Sequence, residues 1–585
     1  MGEAMGRYQA AREPAPETMW AWPLYGAGLD NLGRNHRPVR LPVPMPGPYQ
    51  LLARIDAVGL CFSDVKLIRA GGDHPRLYGR DLAADPTIVG HEVSLTVVEV
   101  GERLGHRFRI GQRFVVQADI YYHGVNLAYG YMLRGGLAQY SLLGEEVLNG
   151  DAGCYLIPIQ ADVGYAEAAL TEPWACIEAS YRIRYRCGLK EGGTALFLVP
   201  GDGVEYRLGG DGCPATVLLS QVPQTLEAFL RQRWEGKGTV FVVVEGRDAA
   251  VVGRRETQGN GLDDIVLLGP TSPSRIEALA SCLASGGVLN LVSPVPDQVQ
   301  AEPTKAGRVP LDVGRIHYDD IKIVGCRGPD IAEGYRANTR AELRPGGRAW
   351  FLGAGGPMGQ MQVQRALEMP DGPRAVLASN LRSGRIESLA RRFGPYAEQR
   401  GIEFVCLTRE EVGDEVYFSG IERLAGKGGF DDIVVLAPSA RAVEEAAPYL
   451  AEGGVMNMFA GMPRGTLAQV NLGKLLARKA CIIGSSGSTI EDLEYTLRKA
   501  ERGELRPNGS VAAVAGIEGV WEGMQGVAEG RFPGKVVIYP QVEGLGLTPL
   551  DELHHVLPQV AEKLEDGIWT REAEEELLGG RWARP

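Results

Sequence analysis

Residues 346–359 read GGRAWFLGAGGPMG, and residues 192–203 read GGTALFLVPGDG. Each is a Gly-Gly turn, a short apolar run, then a second glycine-bearing turn. A buried strand of a parallel sheet feeding a tight loop has this pattern. Three more pairs of segments match in the same order. LDDIVLLGPT (262–271) matches FDDIVVLAPS (430–439), ASGGVLNLVS (284–293) matches AEGGVMNMFA (451–460), and IKIVGCRGPDI (321–331) matches ACIIGSSGSTI (480–490). One such match arises by accident; several in register do not. The chain therefore reads as carrying two tandem α/β units, about 191–343 and 344–508, each a doubly wound parallel sheet.

Both units read as Rossmann-like, but they differ where a phosphate would bind. Aligning the Gly-Gly pairs puts Gly356 opposite Asp202 and Gly359 opposite Glu205. A dinucleotide site needs glycine for the tight turn and helix N-terminal amides facing the anion. Two carboxylates there repel phosphate, so the first copy reads as degenerate, a structural or substrate-shaping unit. The alternative is an alignment slipped by one residue, with Gly201 or Gly203 serving instead. The second copy keeps Gly353-Ala354-Gly355-Gly356-Pro357-Met358-Gly359 after a predicted strand, 348–352, and before a helical run, 359–368. From Ala354 the loop is A-x-G-x-x-G, a weak signal alone; the strand before it and the helix after it support a cofactor loop. The next predicted strand ends at Ser379-Asn380. An acidic residue near this point binds the ribose of NAD. Asn380 stands there instead, followed by Arg382 and Arg385, which favours NADP over NAD because guanidinium groups suit a 2′-phosphate. The alternative is that Asn380 bonds the ribose directly and the arginines are solvated.

Upstream, residues 49–145 read as β-rich, with short apolar runs broken by Gly59, Gly90, Gly101 and Gly111, the spacing of a small barrel. This region holds Gly59-Leu60-Cys61-Phe62-Ser63-Asp64 and Gly90-His91-Glu92. Cys61, His91 and Glu92 can supply three zinc ligands and leave a fourth position open, the catalytic type of site. Singly, Cys61 reads as a small buried residue and His91 as a satisfied core histidine; together they point to a metal. A helical run over 163–189 carries Glu172-Pro173-Trp174-Ala175-Cys176.

In combination, G-x-C-x-S-D, G-H-E, the Glu172-Pro173 helix and the glycine-rich loop resemble the zinc-dependent medium-chain dehydrogenase/reductase family. The sorbitol, sugar-phosphate and threonine dehydrogenase branch is the most similar. The resemblance covers about 50–190 and 344–540. It implies a GroES-like β-barrel catalytic domain over 1–190, completed by about 509–545, with 546–585 left as a helical tail. It implies Cys61 and His91 as zinc ligands, Glu92 as a ligand or close neighbour, and Glu172 approaching the metal directly or through water. Ser63 would pass the substrate proton, and Asp64 would orient His91. The activity implied is hydride transfer between NAD(P) and an alcohol or carbonyl of a small molecule: a sugar, polyol or sugar phosphate. A homo-oligomer, dimer or tetramer, is expected.

There are departures from the family pattern. Residues 118–135 carry no cysteine, so one catalytic zinc and no structural zinc is expected, with Tyr121, Tyr122, Tyr129 and Tyr131 packing that lobe. Lys66 stands where relatives often have a relay histidine. The strand around Gly534-Lys535-Val536-Val537-Ile538 resembles the family's return to the catalytic domain and marks the second unit as the cofactor partner. Two rivals stay open: a zinc-independent NADPH quinone or enone reductase, and a non-catalytic nucleotide-binding assembly subunit. Arg315-Ile316-His317-Tyr318-Asp319 in the first copy is polar enough to reach a substrate or to form a surface loop.

Composition bounds these readings. With 585 residues the chain suits roughly three or four domains. Lys+Arg 61 against Asp+Glu 73 gives −12, with no basic tract, which argues against nucleic acid or an anionic membrane as partner. The 9 cysteines form no C-x-x-C pair, so no disulfide framework is expected. The first twenty residues lack the apolar run of a signal peptide and no long apolar stretch follows, so a cytoplasmic location is expected.

Overall fold

The strand Leu51–Gly59 is buried along its whole length, because sheet neighbours flank it on both sides. It pairs antiparallel with Glu92–Val100, Tyr140–Leu143 and Lys535–Tyr539. Polar residues inside it must then be paired. Arg54 Nε donates to Asp56 Oδ1 at 2.8 Å, and Asp56 also accepts from Tyr8 Oη at 2.8 Å and Thr96 Oγ1 at 2.6 Å. The computed structural model describes residues 2–199, 205–210, 212–244, 249–269, 271–293, 307–336, 339–382 and 384–582. They form two compact units, 1–179 with 356–361 and 487–585, and 180–355 with 362–486.

The first unit is the GroES-like one. Its sheet runs Leu156–Pro158, Arg113–Val116, Glu92–Val100, Leu51–Gly59, Lys535–Tyr539, Val511–Gly516 and Thr548–Pro549. The C-terminal segment is not wholly helical: Thr548–Pro549 pairs as an edge strand with Val511–Gly516. Its last helix, Arg571–Trp582, docks through buried Glu574, which accepts from the Tyr165 and Ala166 amides at 2.5 and 2.7 Å and from Tyr539 Oη at 2.9 Å. A carboxylate on a helix's first amides satisfies donors that have no partner within the helix. No helix among the described residues is long and apolar enough to cross a membrane.

The second unit holds one sheet of twelve strands. Its first half contributes, in chain order, Thr194–Leu198, Thr216–Ser220, Val240–Val243, Leu262–Leu268, Leu283–Ser293 and Lys322–Arg327. Its second half contributes Arg348–Leu352, Ala375–Asn380, Glu403–Thr408, Phe430–Val435, Leu450–Met458 and Cys481–Gly484. Across the sheet the order is three-two-one-four-five-six of the first half, then six-five-four-one-two-three of the second. Pairing inside each half is parallel, and the two sixth strands meet antiparallel at Ile323 and Ile482. Each half therefore has the doubly wound Rossmann order. The sequence suggested two separate sheets; they are joined because an open sheet's last strand leaves unpaired N–H and C=O groups that another strand can cover.

The matched Asp-Asp pairs build the same cage in both halves. Arg186 Nη1 bonds the Asp264 carboxylate at 2.9 Å and its Nη2 bonds Asp263 O at 3.1 Å. Arg340 bonds the Asp432 carboxylate, and Asp431 O at 3.1 Å. Thr194 N donates to Asp263 and Arg348 N to Asp431, each at 2.9 Å. The halves part company after strand one. In the second, the helix Pro357–Glu368 leads to strand two. In the first, no helix stands between Leu198 and Thr216 among the described residues. Asp202 lies outside those residues, and Glu205 is exposed and not in a helix.

Candidate metal centre and cofactor loop

The helix Phe62–Ala70 starts immediately after Cys61, its N-cap, and strand Glu92–Val100 begins one residue after His91. Asp64, fully buried, ties the two places together. Its Oδ2 accepts the Cys61 amide at 3.1 Å, and its Oδ1 accepts the Gly90 amide at 3.2 Å and bonds His91 Nδ1 at 2.9 Å. A carboxylate oxygen only accepts, so Nδ1 carries the proton and a neutral ring keeps its Nε2 lone pair for another partner. Ser63 Oγ lies 3.2 Å from that Nε2.

Cys61 Sγ, an imidazole nitrogen of His91 and a carboxylate oxygen of Glu92 all lie within 4.8 Å of one another. Glu92 is fully buried. Its Oε1 pairs with the Lys535 ammonium, which also reaches Leu60 O at 3.3 Å, and its Oε2 has no hydrogen-bond partner. Leaving a buried acceptor unsatisfied costs about 1–3 kcal/mol. A Cβ at Gly59 would sit 2.1 Å from this oxygen, so the glycine keeps the space beside it open. A thiol, an imidazole lone pair and an unpartnered carboxylate oxygen converging in this way fit a zinc ion.

The electrostatics follow from burial and proximity. Burial opposes charge on His91, but Asp64 and then Cys61 hold its pKa well above the ordinary value. Burial likewise opposes charge on Lys535, yet Glu92, Cys61 and Glu172 keep its ammonium above its usual range. Glu172, on the helix Thr171–Tyr181, is pushed up to about 7, by burial first, with Glu92 and Asp119 adding and His91 and Lys535 opposing. Its carboxylate stands outside the mutual set formed by Cys61, His91 and Glu92. One turn on, burial and then Glu172 hold the Cys176 thiol well above its ordinary pKa.

Two neighbours of this centre escaped the sequence reading. Lys535 had one visible signal: it is the lone charge opening an otherwise apolar strand, KVVIY. The Tyr131 ring lies tilted beside that of His91, 6.2 Å away centroid to centroid. Of the four tyrosines expected to pack the lobe, Tyr129 and Tyr131 are buried, whereas Tyr121 is 46% exposed. The reason is a two-stranded surface hairpin, Tyr121–Tyr122 with Val125–Asn126. Lys66 is exposed, its ammonium 5.9 Å from the centre of the Phe62 ring.

In the second half, the loop after strand one starts at Gly353, with φ +92°, where a Cβ would fall 2.6 Å from the Ala437 amide nitrogen. Only glycine combines that conformation with that approach. A Cβ at Gly355 would meet Asn380 Nδ2 at 2.7 Å, so Asn380, the last residue of strand two, stands beside the loop. Gly356 faces open space. Pro357 opens the following helix, with Met358 and Gly359 in its first turn. Asn380 donates to Arg382 O at 2.8 Å. Arg382 is exposed; Arg385, half-buried at the start of the helix Arg385–Gln399, has its pKa lowered by burial and then by Arg382. Two guanidinium groups that repel each other are a favourable place for an anion.

Residues 47–149 match the alcohol dehydrogenase GroES-like domain. The uncharacterized protein YggP of Escherichia coli (strain K12) is 30% identical over 323 residues, 51% of this chain and 73% of that one. A mannitol-1-phosphate 5-dehydrogenase of Aliivibrio fischeri is 25% identical over 353 residues, 56% of this chain and 80% of its own. An L-sorbose 1-phosphate reductase of Klebsiella pneumoniae is 26% identical over 335 residues, covering 53% and 76%. Each similarity extends well beyond the barrel and still leaves more than two fifths of this chain without a counterpart. On the barrel, the Rossmann strand order and these relatives together, the chain belongs to the medium-chain dehydrogenase/reductase family.

Proposed function

We propose that the chain is a zinc-dependent oxidoreductase that passes a hydride between NAD(P) and an alcohol or carbonyl of a sugar, polyol or sugar phosphate. The observation that carries this reading is the convergence of Cys61, His91 and Glu92 within 4.8 Å, with a buried Glu92 oxygen lacking a partner. A zinc bound there would act as a Lewis acid on the substrate oxygen. Cys61, His91 and Glu92 would hold it, with Glu172 near enough in charge to influence the site.

The chain's own residues supply the rest. Asp64 keeps His91 Nδ1 protonated and so fixes which nitrogen is offered. Lys535 holds Glu92 Oε1 and thereby leaves Oε2 for the metal. Ser63 Oγ, half-exposed in the first turn of its helix, takes the substrate proton and passes it to solvent. The Gly353–Gly359 loop and the N-terminus of the helix Pro357–Glu368 bind the cofactor pyrophosphate. Asn380, Arg382 and Arg385 favour NADP over NAD.

The two halves are read as a tandem duplication, supported by their matching strand order and repeated Asp-Arg cages. The first half, which has no helix between its strands one and two among the described residues, is read as binding no dinucleotide. The sugar-phosphate class is supported by the mannitol-1-phosphate and sorbose 1-phosphate enzymes among the relatives. The unpartnered Glu92 oxygen argues against the metal-free reductase, which has no use for it.

The test pairs metal analysis with turnover. Native protein should contain a single zinc and oxidise NADPH or NADH with some member of a sugar, polyol and sugar-phosphate panel. Cys61→Ala should lose both zinc and turnover while keeping its circular dichroism spectrum. A full equivalent of zinc in that variant overturns the assignment.

A further inference from the structure

The segment Arg315–Asp319 is not a surface loop. Its first four residues lie in the helix Val313–Tyr318, Asp319 caps that helix's end, and His317 is 7% exposed. This helix comes from the first half but packs on the fifth and sixth strands of the second.

The symmetry of the contact explains why it crosses. Before the helix, the strand Arg308–Asp312 pairs antiparallel with Leu467–Asn471, placing Pro310 opposite Gln469, Arg308 opposite Asn471 and Asp312 opposite Leu467. Asp312 and Asn471 are counterparts: each caps the next helix, accepting from the Arg315 amide at 3.0 Å and the Lys474 amide at 3.1 Å. On that alignment Pro310 and Gln469 are counterparts, and so are Ile323 and Ile482. Each pair meets its own equivalent, as residues on the two-fold axis of an isologous dimer do. The main chain agrees. Asp320 and Lys479, also counterparts, have left-handed φ values of 51° and 48°. The Gly286 amide bonds Asp319 O at 2.7 Å, and the Gly453 amide bonds Arg478 O at 2.6 Å.

Each half sends its helix onto a glycine of the other's sixth strand. A Cβ at Gly484 would lie 2.5 Å from Ile316 O; a Cβ at Gly325 would lie 2.9 Å from Leu476 Cδ1. The side chains break this symmetry. His317 in the first half corresponds to Leu476 in the second. His317 Nδ1 bonds Met458 O at 2.9 Å, and because a carbonyl only accepts, Nδ1 is the donor. Met458 is the last residue of the second half's fifth strand. Just beyond it, a Cβ at Gly461 would lie 2.7 Å from Tyr318 Oη and 3.6 Å from His317 Nε2. The polar residue thus faces only the half that keeps the glycine loop and its helix. The half in which no such helix stands among the described residues receives a leucine.

In a doubly wound sheet a dinucleotide lies across the carboxyl ends, one mononucleotide over strands one to three and the other over strands four to six. Asn380 and the arginines mark strand two as the adenosine side, so the nicotinamide falls to strands four to six. We infer that the first half serves the second as a built-in partner subunit, in which His317 positions the Met458–Gly461 main chain that receives the nicotinamide end of the cofactor. This rests on the cofactor reading above.

Calorimetric titration can test it with NADPH, NADH and ADP-ribose, which carries no nicotinamide. His317→Leu should weaken binding of the preferred dinucleotide roughly tenfold, the scale of one lost hydrogen bond, and leave ADP-ribose unchanged. His317→Gln, which retains a donor, should recover part of the loss and covers the event that the leucine variant fails to fold. Leu476→His should alter neither ligand. Dinucleotide binding unchanged in both His317 variants, or equal loss of dinucleotide and ADP-ribose, overturns the inference alone. Native protein that binds none of the ligands overturns the cofactor reading and the inference together.

Discussion

Replacing Lys535 by methionine tests the arrangement around the candidate metal centre without measuring turnover. Lys535 and Glu92 are an almost fully enclosed pair, their side chains 3% and 0% exposed. Methionine keeps the length and apolar stem but removes the charge. Glu92 is then left as a buried carboxylate with neither oxygen partnered, and breaking such a pair from one side costs about 3–5 kcal/mol. Adding Glu92→Gln removes the stranded charge and leaves only an unsatisfied amide, a loss of about 1–3 kcal/mol. The double variant should therefore be about 2 kcal/mol more stable than Lys535→Met alone, a departure from additivity expected of contacting residues. In a thermal melt with chelator present, at about 2–4 °C per kcal/mol for a unit of this size, Lys535→Met should lower the midpoint by roughly 6–20 °C. Zinc should restore part of that loss, since a cation beside Oε2 replaces the missing positive charge. A midpoint within about 2 °C of native, or losses that simply add in the double variant, would refute the enclosed pair. A deficit that zinc leaves untouched would place Glu92 out of the metal's reach.

Arg382→Ala should lower NADP affinity about tenfold and NAD affinity little, because charge-assisted bonds to a phosphate contribute about 1.5–3 kcal/mol; fluorescence titration with both cofactors reads this, and native protein that binds them equally contradicts it. Gly356→Asp should abolish dinucleotide binding, and native protein should bind one cofactor per chain in calorimetry; two per chain would make the first half a live site. Stability should carry a pH signature from Glu167, whose carboxyl is raised to about 7 by burial and then by Glu574. An unfolded glutamate releases its proton near 4.3, so between about pH 4.3 and 7 the folded state holds more protons, and this group's contribution falls as pH rises. Glu167→Gln should flatten urea-derived stability across that window by up to about 3 kcal/mol; superimposable pH profiles of variant and native protein would count against it.

Glycine turns, apolar runs and short motifs are local, so they were legible in the chain alone. The paired LDDIV and FDDIV segments announced two matching halves, and both halves build the same Asp-Arg cage. The Gly59-to-Asp64 and Gly90-to-Glu92 motifs announced a three-donor centre because each motif sits on one turn, and the barrel brings the two turns together. Gly353 and Asn380 could be picked out through their spacing after consecutive strands, and the fold sets Asn380 beside Gly355.

What lies between distant segments was not legible. Lys535 is more than four hundred residues from Glu92, and only the pairing of strands Leu51–Gly59 and Lys535–Tyr539 makes them neighbours. His317 looked like part of a polar surface stretch, because nothing in its own sequence says that its helix crosses onto the other half's strands. The joining of two six-stranded halves at Ile323 and Ile482 is likewise a property of exposed edges, not of either edge's pattern. Hydrophobic periodicity tells a strand which face to bury, whereas the partner that satisfies its outer N–H and C=O groups is chosen only when the chain is folded. The sequence alone raised the halves, the loop and the donors as expectations, because each is a local pattern; tertiary structure decided which charge faces Glu92 and which half's helix packs on the other's strands.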